Sequence, residues 1–522
     1  MRDLPELKKG DFLDASKLYE VRGLIGKGGF GAVYLIYSLK TETFYAYKTL
    51  LPELARDRGI QERFKKEANI WVDLGQHPNL VRAIGVTEQS GRFFICMEYV
   101  RPDEQGRNSL DGYLRMGSIE FSQCLKWGIQ FCHGMEYAYS KGIQCHRDIK
   151  PANIMIDGFN AKVSDFGIAR IAEEKQLAKF GIGQNSNLQF EHGQTAVGSA
   201  LGTPFYMPPE QFIDATTCDQ RSDIYSFGVV LYQMRANGSL PFVPPVQRGS
   251  DRHEFSQSIF LLHCECPPPK LNSRIGFVID RCLAKRPNDR YQTFQELRAD
   301  LEMALKRATG ETLSKPQPIK EELNLKGRNL QVLGRHKDAI ECFDRELEID
   351  PSNPAAWYNK GKSNHALGNF DEAIRCFYRS AENDFYANWA LEENAKLLVE
   401  IKRLKEAIKC YERMIAFERP NHSVSDPLKF CWLFERGNLL NTLGQHQAAL
   451  GSYEQATHLD LRYVKPETIL HCWLNKANTE VRLGRHTEAT ASFEAFLSLA
   501  EPKYAQHYPK SIQDARRYIG QG

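Results

Sequence analysis

The chain has 522 residues, of which 42% are hydrophobic and 25% are charged, and this length allows two or three domains, each with its own core. Its formal net charge of +3 at pH 7 excludes the strongly basic field with which proteins hold nucleic acid or an anionic membrane. We therefore expect no nucleic-acid partner.

The hydrophobic residues are not arranged as a membrane span. The apolar run FFICMEYV is among the longest in the sequence, whereas a transmembrane helix needs about 18 or more apolar residues in succession. The first residues, MRDLPELKKGDFLDASK, lack the apolar core of a signal peptide. Thirteen cysteines, mostly in apolar stretches and without zinc-site spacing, are typical of reduced core residues. Together these features predict a cytoplasmic protein with no membrane span.

The N-terminal part of the chain is predicted to be rich in β-strands. After an N-terminal extension at 1–17, residues 19–36 and 43–49 combine β-branched and aromatic side chains with glycines. The first of these segments contains the pattern G-x-G-x-x-G-x-V at Gly26, Gly28, Gly31 and Val33. A dinucleotide-binding turn would open a helix, but strand-like sequence follows here. The pattern therefore favours a loop between strands, in which glycines let backbone amides approach phosphates without Cβ clashes.

Four further elements follow in a specific order. Lys48 lies on the next predicted strand, and Glu67 lies on a charged helix predicted over about 57–74. Residues 146–153 read His-Arg-Asp-Ile-Lys-Pro-Ala-Asn, and residues 165–167 read Asp-Phe-Gly. This set resembles the motifs of the eukaryote-like (Hanks-type) serine/threonine protein kinases.

The resemblance implies transfer of the ATP γ-phosphoryl group to serine or threonine hydroxyls of protein substrates. By the same resemblance, Lys48 and Glu67 would orient the ATP phosphates. Asp148 would lie at the incoming hydroxyl, and Lys150 would contact the migrating phosphate. A lysine at this second position is the hallmark of the Ser/Thr-specific members.

The resemblance also predicts where Mg²⁺ and ATP bind. Asn153 and Asp165 would supply the hard oxygen ligands that Mg²⁺ prefers. Met97 resembles the gatekeeper residue beside the adenine site. The predicted nucleotide-binding residues are Gly26, Gly28, Gly31, Val33, Ala46, Lys48, Glu98, Val100 and Met155.

Control is expected to act on the segment after the Asp-Phe-Gly motif. Arg147 would pair with a phosphorylated residue of this segment. Ser199 is the first candidate phosphosite and Thr195 the second, whereas Thr203 is expected to have a structural role beside the catalytic loop. The alternative, that both candidate hydroxyls are ordinary solvated loop residues, stays open.

The resemblance predicts an α+β bilobal protein-kinase fold over 18–305, with an N-lobe at 18–97 and a C-lobe at 98–305. Within it, Glu210 should pair with Arg290, and Asp223 should brace the backbone of the catalytic loop. A polar segment with two prolines, 306–319, is the predicted linker.

After the linker the sequence repeats with a period of 34 residues. Small residues, aromatic residues and cysteines recur in one register, at Gly327, Gly361 and Ala395; Ala339, Ala373 and Ala407; Phe343, Phe377 and Tyr411; and Cys342, Cys376 and Cys410. Two further units open at Gly437 and Ala477. This pattern resembles the tetratricopeptide repeat (TPR) and predicts an all-α TPR solenoid, with five units over 320–504 and a capping helix and tail over 505–522.

The repeats are predicted to hold a peptide or protein partner, because TPR units line a groove with their first helices. Arg328, Lys362 and Lys396 follow one another at intervals of 34 and would form a basic row suited to an acidic partner. The alternative, that these are ordinary solvated charges, stays open.

Two alternative functions are disfavoured for the N-terminal part. A pseudokinase that only binds partners would have lost Lys48, Asp148, Asn153 or Asp165, but all four are present. A kinase of small molecules is disfavoured by GTPFYMPPE, which resembles a peptide-docking element. The sequence therefore favours an active protein kinase that uses ATP and Mg²⁺.

Overall fold

The computed structural model describes a large part of the chain, namely residues 6–14, 16–28, 31–55, 57–89, 92–166, 204–244, 252–317, 319, 322–383, 385–416, 425–504 and 506–520. The chain divides into two compact units, Met1–Arg335 and His336–Gly522. Among the described residues, no helix is both long enough and apolar enough to cross a membrane.

The described N-terminal residues of the first unit form a five-stranded antiparallel sheet. Its strands are β1 (Tyr19–Lys27), β2 (Gly31–Ser38), β3 (Thr43–Leu50), β4 (Ala83–Gln89) and β5 (Arg92–Glu98), in the order β1-β2-β3-β5-β4. Side chains of β2 alternate between buried and half-buried, which is the period-two pattern of a strand with one face on a core. Lys48 on β3 lies opposite Val33 on β2 and Ile95 on β5. The sheet thus fixes the position of the predicted phosphate-orienting lysine.

Helix α1 (Arg58–Leu74) connects β3 to β4. It begins after Asp57, whose side chain accepts a hydrogen bond of 3.0 Å from the backbone N–H of Ile60, a standard N-terminal cap. One face of the helix buries Phe64, Glu67 and Trp71. Because residues four apart share a helix face, Glu67 and Trp71 both point into the protein.

The rest of the first unit is mainly helical. Its described helices are α2 (Leu110–Arg115), α3 (Phe121–Ser140), α4 (Pro209–Ile213), α5 (Gln220–Arg235), α6 (Arg252–Cys264), α7 (Gly276–Cys282), α8 (Phe294–Thr309) and α9 (Leu323–Val332). Short 3-10 helices occur at Pro151–Asn153, Pro204–Tyr206, Ala215–Thr217 and Pro287–Asp289. A two-stranded hairpin, β6 (Ile154–Asp157) and β7 (Asn160–Val163), lies beside α3. Phe131 of α3 and Phe227 of α5 stack with ring centroids 3.9 Å apart in the core.

Helix α8 continues past the predicted start of the linker. The sequence placed that start at residue 306, whereas the helix ends at Thr309. The ending has a local cause, because Gly310 has a φ of +77° and caps the helix in the left-handed conformation. Lys306 and Arg307 in the last turn suit the negative end of the helix dipole.

The described part of the second unit is all α-helical. Its helices are α10 (His336–Ile349), α11 (Pro354–Ala366), α12 (Phe370–Ser380), α13 (Ala387–Glu400), α14 (Leu404–Ala416), α15 (Asp426–Thr442), α16 (His446–Thr457), α17 (Pro466–Arg482), α18 (His486–Tyr504) and α19 (Pro509–Ile519). Consecutive helices pack on one another, as in helical hairpins. The repeat-register residues are buried, and so are Cys342, Cys376 and Cys410. The prediction that these three cysteines are core residues of the repeats is confirmed.

The small residues of the repeat register allow the two helices of a unit to approach closely. A Cβ added at Gly361 would lie 2.8 Å from the ring of Phe377, and one at Gly437 would lie 2.5 Å from the ring of Tyr453. Both rings are fully buried. By contrast, a Cβ added at Gly451, within α16, meets nothing within 4 Å.

We expect Gly361→Ala to lower the free energy of unfolding of the second unit by about 1–3 kcal/mol, because the core cannot absorb the added methyl group. Gly451→Ala is the matched control and should raise that free energy by up to about 1 kcal/mol, because alanine is the better helix former. Thermal unfolding of the two full-length variants measures both changes. A Gly361→Ala protein as stable as the Gly451→Ala protein would contradict the predicted close packing.

Candidate active site

Three charged side chains from distant parts of the first unit meet at the sheet. The Nζ atom of Lys48, on β3, lies 2.6 Å from a carboxylate oxygen of Glu67, on α1, and 2.7 Å from one of Asp165, just after β7. The lysine therefore bridges two carboxylates that are 98 residues apart in sequence (165 − 67). The sequence named all three residues, and the fold brings them together.

The pKa shifts in this group favour one charge state. Burial disfavours the charge on Lys48, but the two carboxylates outweigh burial and raise its pKa. Burial raises the pKa of Glu67, and Lys48 offsets only part of that effect. Burial would also raise the pKa of Asp165, but the attraction of the Lys48 cation is stronger than this effect and lowers the pKa of Asp165. Lys48 thus stays a cation, and the Asp165 carboxyl group stays ionised, which is the form in which a carboxylate binds a metal ion.

The catalytic-loop residues form a second cluster. One carboxylate oxygen of Asp148 accepts hydrogen bonds from the Nζ atom of Lys150 at 2.8 Å and from the side-chain amide of Asn153 at 2.9 Å. The same amide nitrogen of Asn153 also donates to the backbone carbonyl of Asp148 at 2.8 Å. These bonds fix the orientation of the Asp148 carboxylate before any substrate arrives, which is the preorganisation that catalysis by positioning requires.

The backbone of this loop is held by Asp223 of α5. Its carboxylate accepts hydrogen bonds from the backbone N–H groups of His146 at 2.6 Å and of Arg147 at 3.0 Å. Arg147 has a φ of +67°, a conformation that costs free energy for a residue with a Cβ. The two bonds to Asp223 offset that cost. The predicted bracing role of Asp223 is confirmed.

Phe166 of the Asp-Phe-Gly motif joins the two clusters. Its ring meets the ring of Trp71, on α1, edge-on with centroids 5.4 Å apart, and it packs on His146 with centroids 4.6 Å apart. Both Phe166 and Trp71 are almost fully buried. Sequence analysis assigned no role to Trp71. The only feature of the sequence that points to this residue is its position, as a large apolar side chain one helical turn after Glu67.

Glycines at the turn between β1 and β2 allow close backbone approach. A Cβ at Gly31 would lie 2.7 Å from the carbonyl oxygen of Thr49, so only glycine fits at that position. The N–H of Gly28 donates to the carbonyl of Gly31 at 2.9 Å, and Gly26 pairs with Val33 across the two strands. This is the strand–turn–strand context that the sequence predicted.

The residues predicted to line the adenine site lie on neighbouring elements. Ala46 is on β3 and Glu98 at the end of β5, and the two strands pair; Met155 is on β6. The Glu98 carboxylate accepts bonds from the backbone of Arg82 and from Lys162, so it is used within the protein. The Val100 carbonyl accepts a bond of 3.1 Å from the Asn108 side chain, a partner that sequence reasoning missed because no local pattern links the two residues.

The proposed regulatory hydroxyls cannot be placed in this site. Thr195, Ser199 and Thr203 lie outside the described residues. The described chain resumes at Pro204, and from there Glu210 of α4 reaches the guanidinium group of Arg290, with two bonds of 2.7 and 2.9 Å. The predicted pairing of Glu210 with Arg290 is confirmed.

The site offers oxygen ligands for a divalent metal ion. Asp165 has a carboxylate and Asn153 an amide oxygen, and hard divalent cations take such ligands in proteins. The described residues contain no group of three or more His, Cys, Asp and Glu side chains that could hold a metal ion.

Comparison with known families assigns both parts of the chain. The protein kinase domain matches residues 19–301, and tetratricopeptide repeats match residues 324–388 and 470–502. The chain belongs to the protein kinase family. Its kinase domain is followed by tetratricopeptide repeats, as the sequence predicted.

Two curated relatives of this chain are bacterial kinases. The probable serine/threonine-protein kinase CPE1738 of Clostridium perfringens is 31% identical over 54% of this chain and 38% of that protein. Serine/threonine-protein kinase PknB of Mycobacterium leprae is 34% identical over 55% of this chain and 43% of that protein. The kinase therefore spans about two fifths of the length of these relatives. Among solved structures, the PknI kinase domain of Mycobacterium tuberculosis is similar to this chain. The match covers 57% of this chain and 99% of the PknI chain, with 22% sequence identity and a TM-score of 0.39.

One member of the predicted basic row, Lys396, pairs with neighbouring acidic side chains. The Nζ atom of Lys396, on α13, lies 2.9 Å from Glu392 and 3.1 Å from Glu393. Partial burial opposes the charge on Lys396, but these two carboxylates outweigh it and raise the lysine pKa. Because Glu392 and Glu393 precede Lys396 by one helical turn, the local charge is net negative. Arg328 lies in the first unit, whereas Lys362 lies in the second.

Proposed function

We propose that this kinase transfers the γ-phosphoryl group of ATP to serine or threonine hydroxyls of protein substrates. The observation that carries the proposal is the bridge that Lys48 makes between Glu67 and Asp165. The bridge holds the Lys48 cation beside the Asp165 carboxylate, and Lys48 lies opposite Val33, two residues after the glycine turn. The charge of a triphosphate is held in this family by a cation and a metal-binding carboxylate, and this supports the proposal. Lys150 beside Asp148 supports a serine or threonine acceptor.

In this proposal each cluster has one task. Lys48 orients the phosphates, and Glu67 keeps the lysine in place. The Asp148 carboxylate accepts the proton of the incoming hydroxyl, while Lys150 stabilises the charge on the phosphoryl group as it moves. Mg²⁺, when bound by Asn153 and Asp165, would neutralise the phosphate charge.

The repeats are proposed to bind a protein, either a substrate or a regulator. TPR units present helix faces to partners, and this supports the proposal. Glu392 and Glu393 partly neutralise the charge of Lys396. A partner of unspecified charge is therefore better supported than an acidic partner. A cytoplasmic location is supported by the cysteines, since all thirteen are free thiols.

The reaction class is tested with purified full-length protein and γ-³²P-labelled ATP. With Mg²⁺ we expect label on the chain itself or on a generic protein substrate such as casein, recovered after hydrolysis as phosphoserine or phosphothreonine. Removal of Mg²⁺ with EDTA should abolish the label. Lys48→Met should lower the label at least about 100-fold, because positioning of the phosphates carries most of this catalysis.

Two results would count against the proposal. Label that persists in the Lys48→Met protein would show that a contaminating kinase or another site is responsible. An unlabelled wild-type protein that nevertheless binds Mg·ATP would favour the pseudokinase alternative. A melting curve of each variant confirms that it is folded before its activity is compared.

A further inference from the structure

Helix α9 belongs by sequence to the repeats, since the first matched TPR segment starts at residue 324. In the structure it lies in the first unit, which ends at Arg335, and it packs on β4 and α1. Strand β4 is the edge of the five-stranded sheet. An edge strand carries backbone groups that need partners from elsewhere. Helix α9 covers this edge.

Asn329 makes the central contact of this joint. Its side-chain oxygen accepts a hydrogen bond of 3.1 Å from the backbone N–H of Val86, on β4, and the contact is buried. A Cβ at Gly85 would lie 3.1 Å from the same oxygen, so the neighbouring glycine lets the asparagine reach the strand. Without Asn329 the N–H of Val86 would be buried and unsatisfied, which is costly.

Arg335, three residues beyond the end of α9, makes the second contact. One guanidinium nitrogen lies 2.7 and 2.8 Å from the two carboxylate oxygens of Asp73 and 3.3 Å from the side-chain oxygen of Asn69. Both partners lie near the C-terminal end of α1, which has no basic residue in its own last turn. A cation is favourable at this end of a helix, and Arg335 supplies it from outside.

The same helix α1 carries the site residues. Glu67 pairs with Lys48, and one turn later Trp71 packs on Phe166. Trp71 also lines a small cleft together with Leu325 of α9. Helix α1 is therefore held by the active site on one face and by α9 and Arg335 on another.

We propose that α9 is a positioning element of the kinase. Asn329 fixes α9 on β4, and α9 thereby keeps Arg335 in place to hold α1 where Glu67 reaches Lys48. The catalytic part of this proposal rests on the proposed function. A contact that favours one of two positions of a helix raises the population of that position. The Arg335 contact would therefore raise the population of the α1 position in which Glu67 reaches Lys48. The first helix of the repeats, as defined by sequence, thus acts as part of the catalytic unit.

The first test removes the buried acceptor in the full-length chain with Asn329→Leu, which keeps the side-chain size. Loss of a buried hydrogen-bond acceptor should speed hydrogen exchange of the α1 amides about tenfold. The kcat for phosphoryl transfer should fall by a similar factor, and the KM for ATP should rise. Lys337→Asp, an exposed charge two residues beyond Arg335, is the control and should change none of these.

The second test reverses the charges of the Arg335–Asp73 pair. Arg335→Asp and Asp73→Arg should each speed α1 exchange about fivefold, a modest effect because the pair is half-exposed. The double variant restores the attraction in the opposite sense and should return exchange and kcat to within about twofold of the wild type. This rescue would not occur if either substitution acted only by unfolding the protein.

One outcome overturns the inference. If the amides of α9 exchange faster in Asn329→Leu while α1 exchange and kcat match the wild type, α9 is attached to the kinase without positioning it. Hydrogen exchange does not require catalysis. An inactive wild-type chain would therefore refute the proposed function, while exchange of the α1 amides would still test whether α9 positions α1. Unchanged α1 exchange in an active chain would refute the positioning role alone.

Discussion

Asp148→Asn should reduce kcat for phosphoryl transfer about 10²–10⁴-fold, the usual contribution of a positioned acid or base. Asparagine has nearly the same shape, but its amide cannot take a proton from the hydroxyl of the substrate. The bonds around this side chain, from Lys150 and Asn153, come from the catalytic loop itself. Lys48, Glu67 and Asp165 take no part in these hydrogen bonds, so affinity for ATP should change by no more than about threefold.

This prediction is checked by two measurements on the same preparation. Initial rates with a peptide substrate give kcat, and titration with a fluorescent ATP analogue gives nucleotide affinity. Asp280→Asn, at an exposed aspartate of α7, makes the same chemical change away from the site and should retain full activity. A kcat for Asp148→Asn within tenfold of the wild type would remove Asp148 from the proposed mechanism.

Arg290→Ala should lower the free energy of unfolding of the kinase unit by about 3–5 kcal/mol, because it breaks a buried ion pair from one side. The Arg290 side chain is 0% exposed and its partner Glu210 is 14% exposed. The guanidinium also donates to the carbonyls of Ala284, Lys285 and Arg221. Removal would leave a largely buried carboxylate and three part-buried carbonyls without their donor.

Calorimetry of the full-length protein measures this loss. The transition of the kinase unit is the one that Mg·ATP shifts upward, and it should fall by about 6 °C or more in Arg290→Ala. Arg115→Ala is the control: Arg115 pairs with Asp111 on the surface, with 77% of its side chain exposed, and such pairs contribute about 1 kcal/mol or less. Equal shifts for the two arginine variants would contradict a buried role for Arg290.

The same ion pair should make stability depend on pH. Burial alone would raise the pKa of Glu210, but the bonds and charge of Arg290 lower it below its ordinary value of 4.5. A carboxyl group with a lowered pKa in the folded state stabilises the protein above pH 4.5, and that stabilisation is lost as the pH falls through the folded pKa. Glu210→Gln should therefore be less stable than the wild type at pH 7, and the difference should shrink in acid.

The family, the order of the chemical motifs and the repeat period can all be predicted from the amino-acid sequence. These features are local: glycines at a turn, acids and bases at fixed spacing, and small and aromatic residues recurring every 34 positions. Each motif can be recognised from neighbouring residues without knowing the fold, and the kinase domain and the TPR units were therefore both predicted. The Glu210–Arg290 and Asp223 contacts were also predicted, because the family resemblance carries such pairs over residue by residue.

The assignment of α9 to the first unit rests on tertiary packing. Its sequence fits the repeat register, yet Asn329 and Arg335 bind β4 and α1 of the kinase. The same holds for Trp71, which packs on a residue 95 positions away (166 − 71). A pattern of hydrophobic and polar residues predicts that one face of an element will be buried, but it does not predict which other element will cover that face. The partner is chosen by the packing of whole elements, and no local pattern contains that choice.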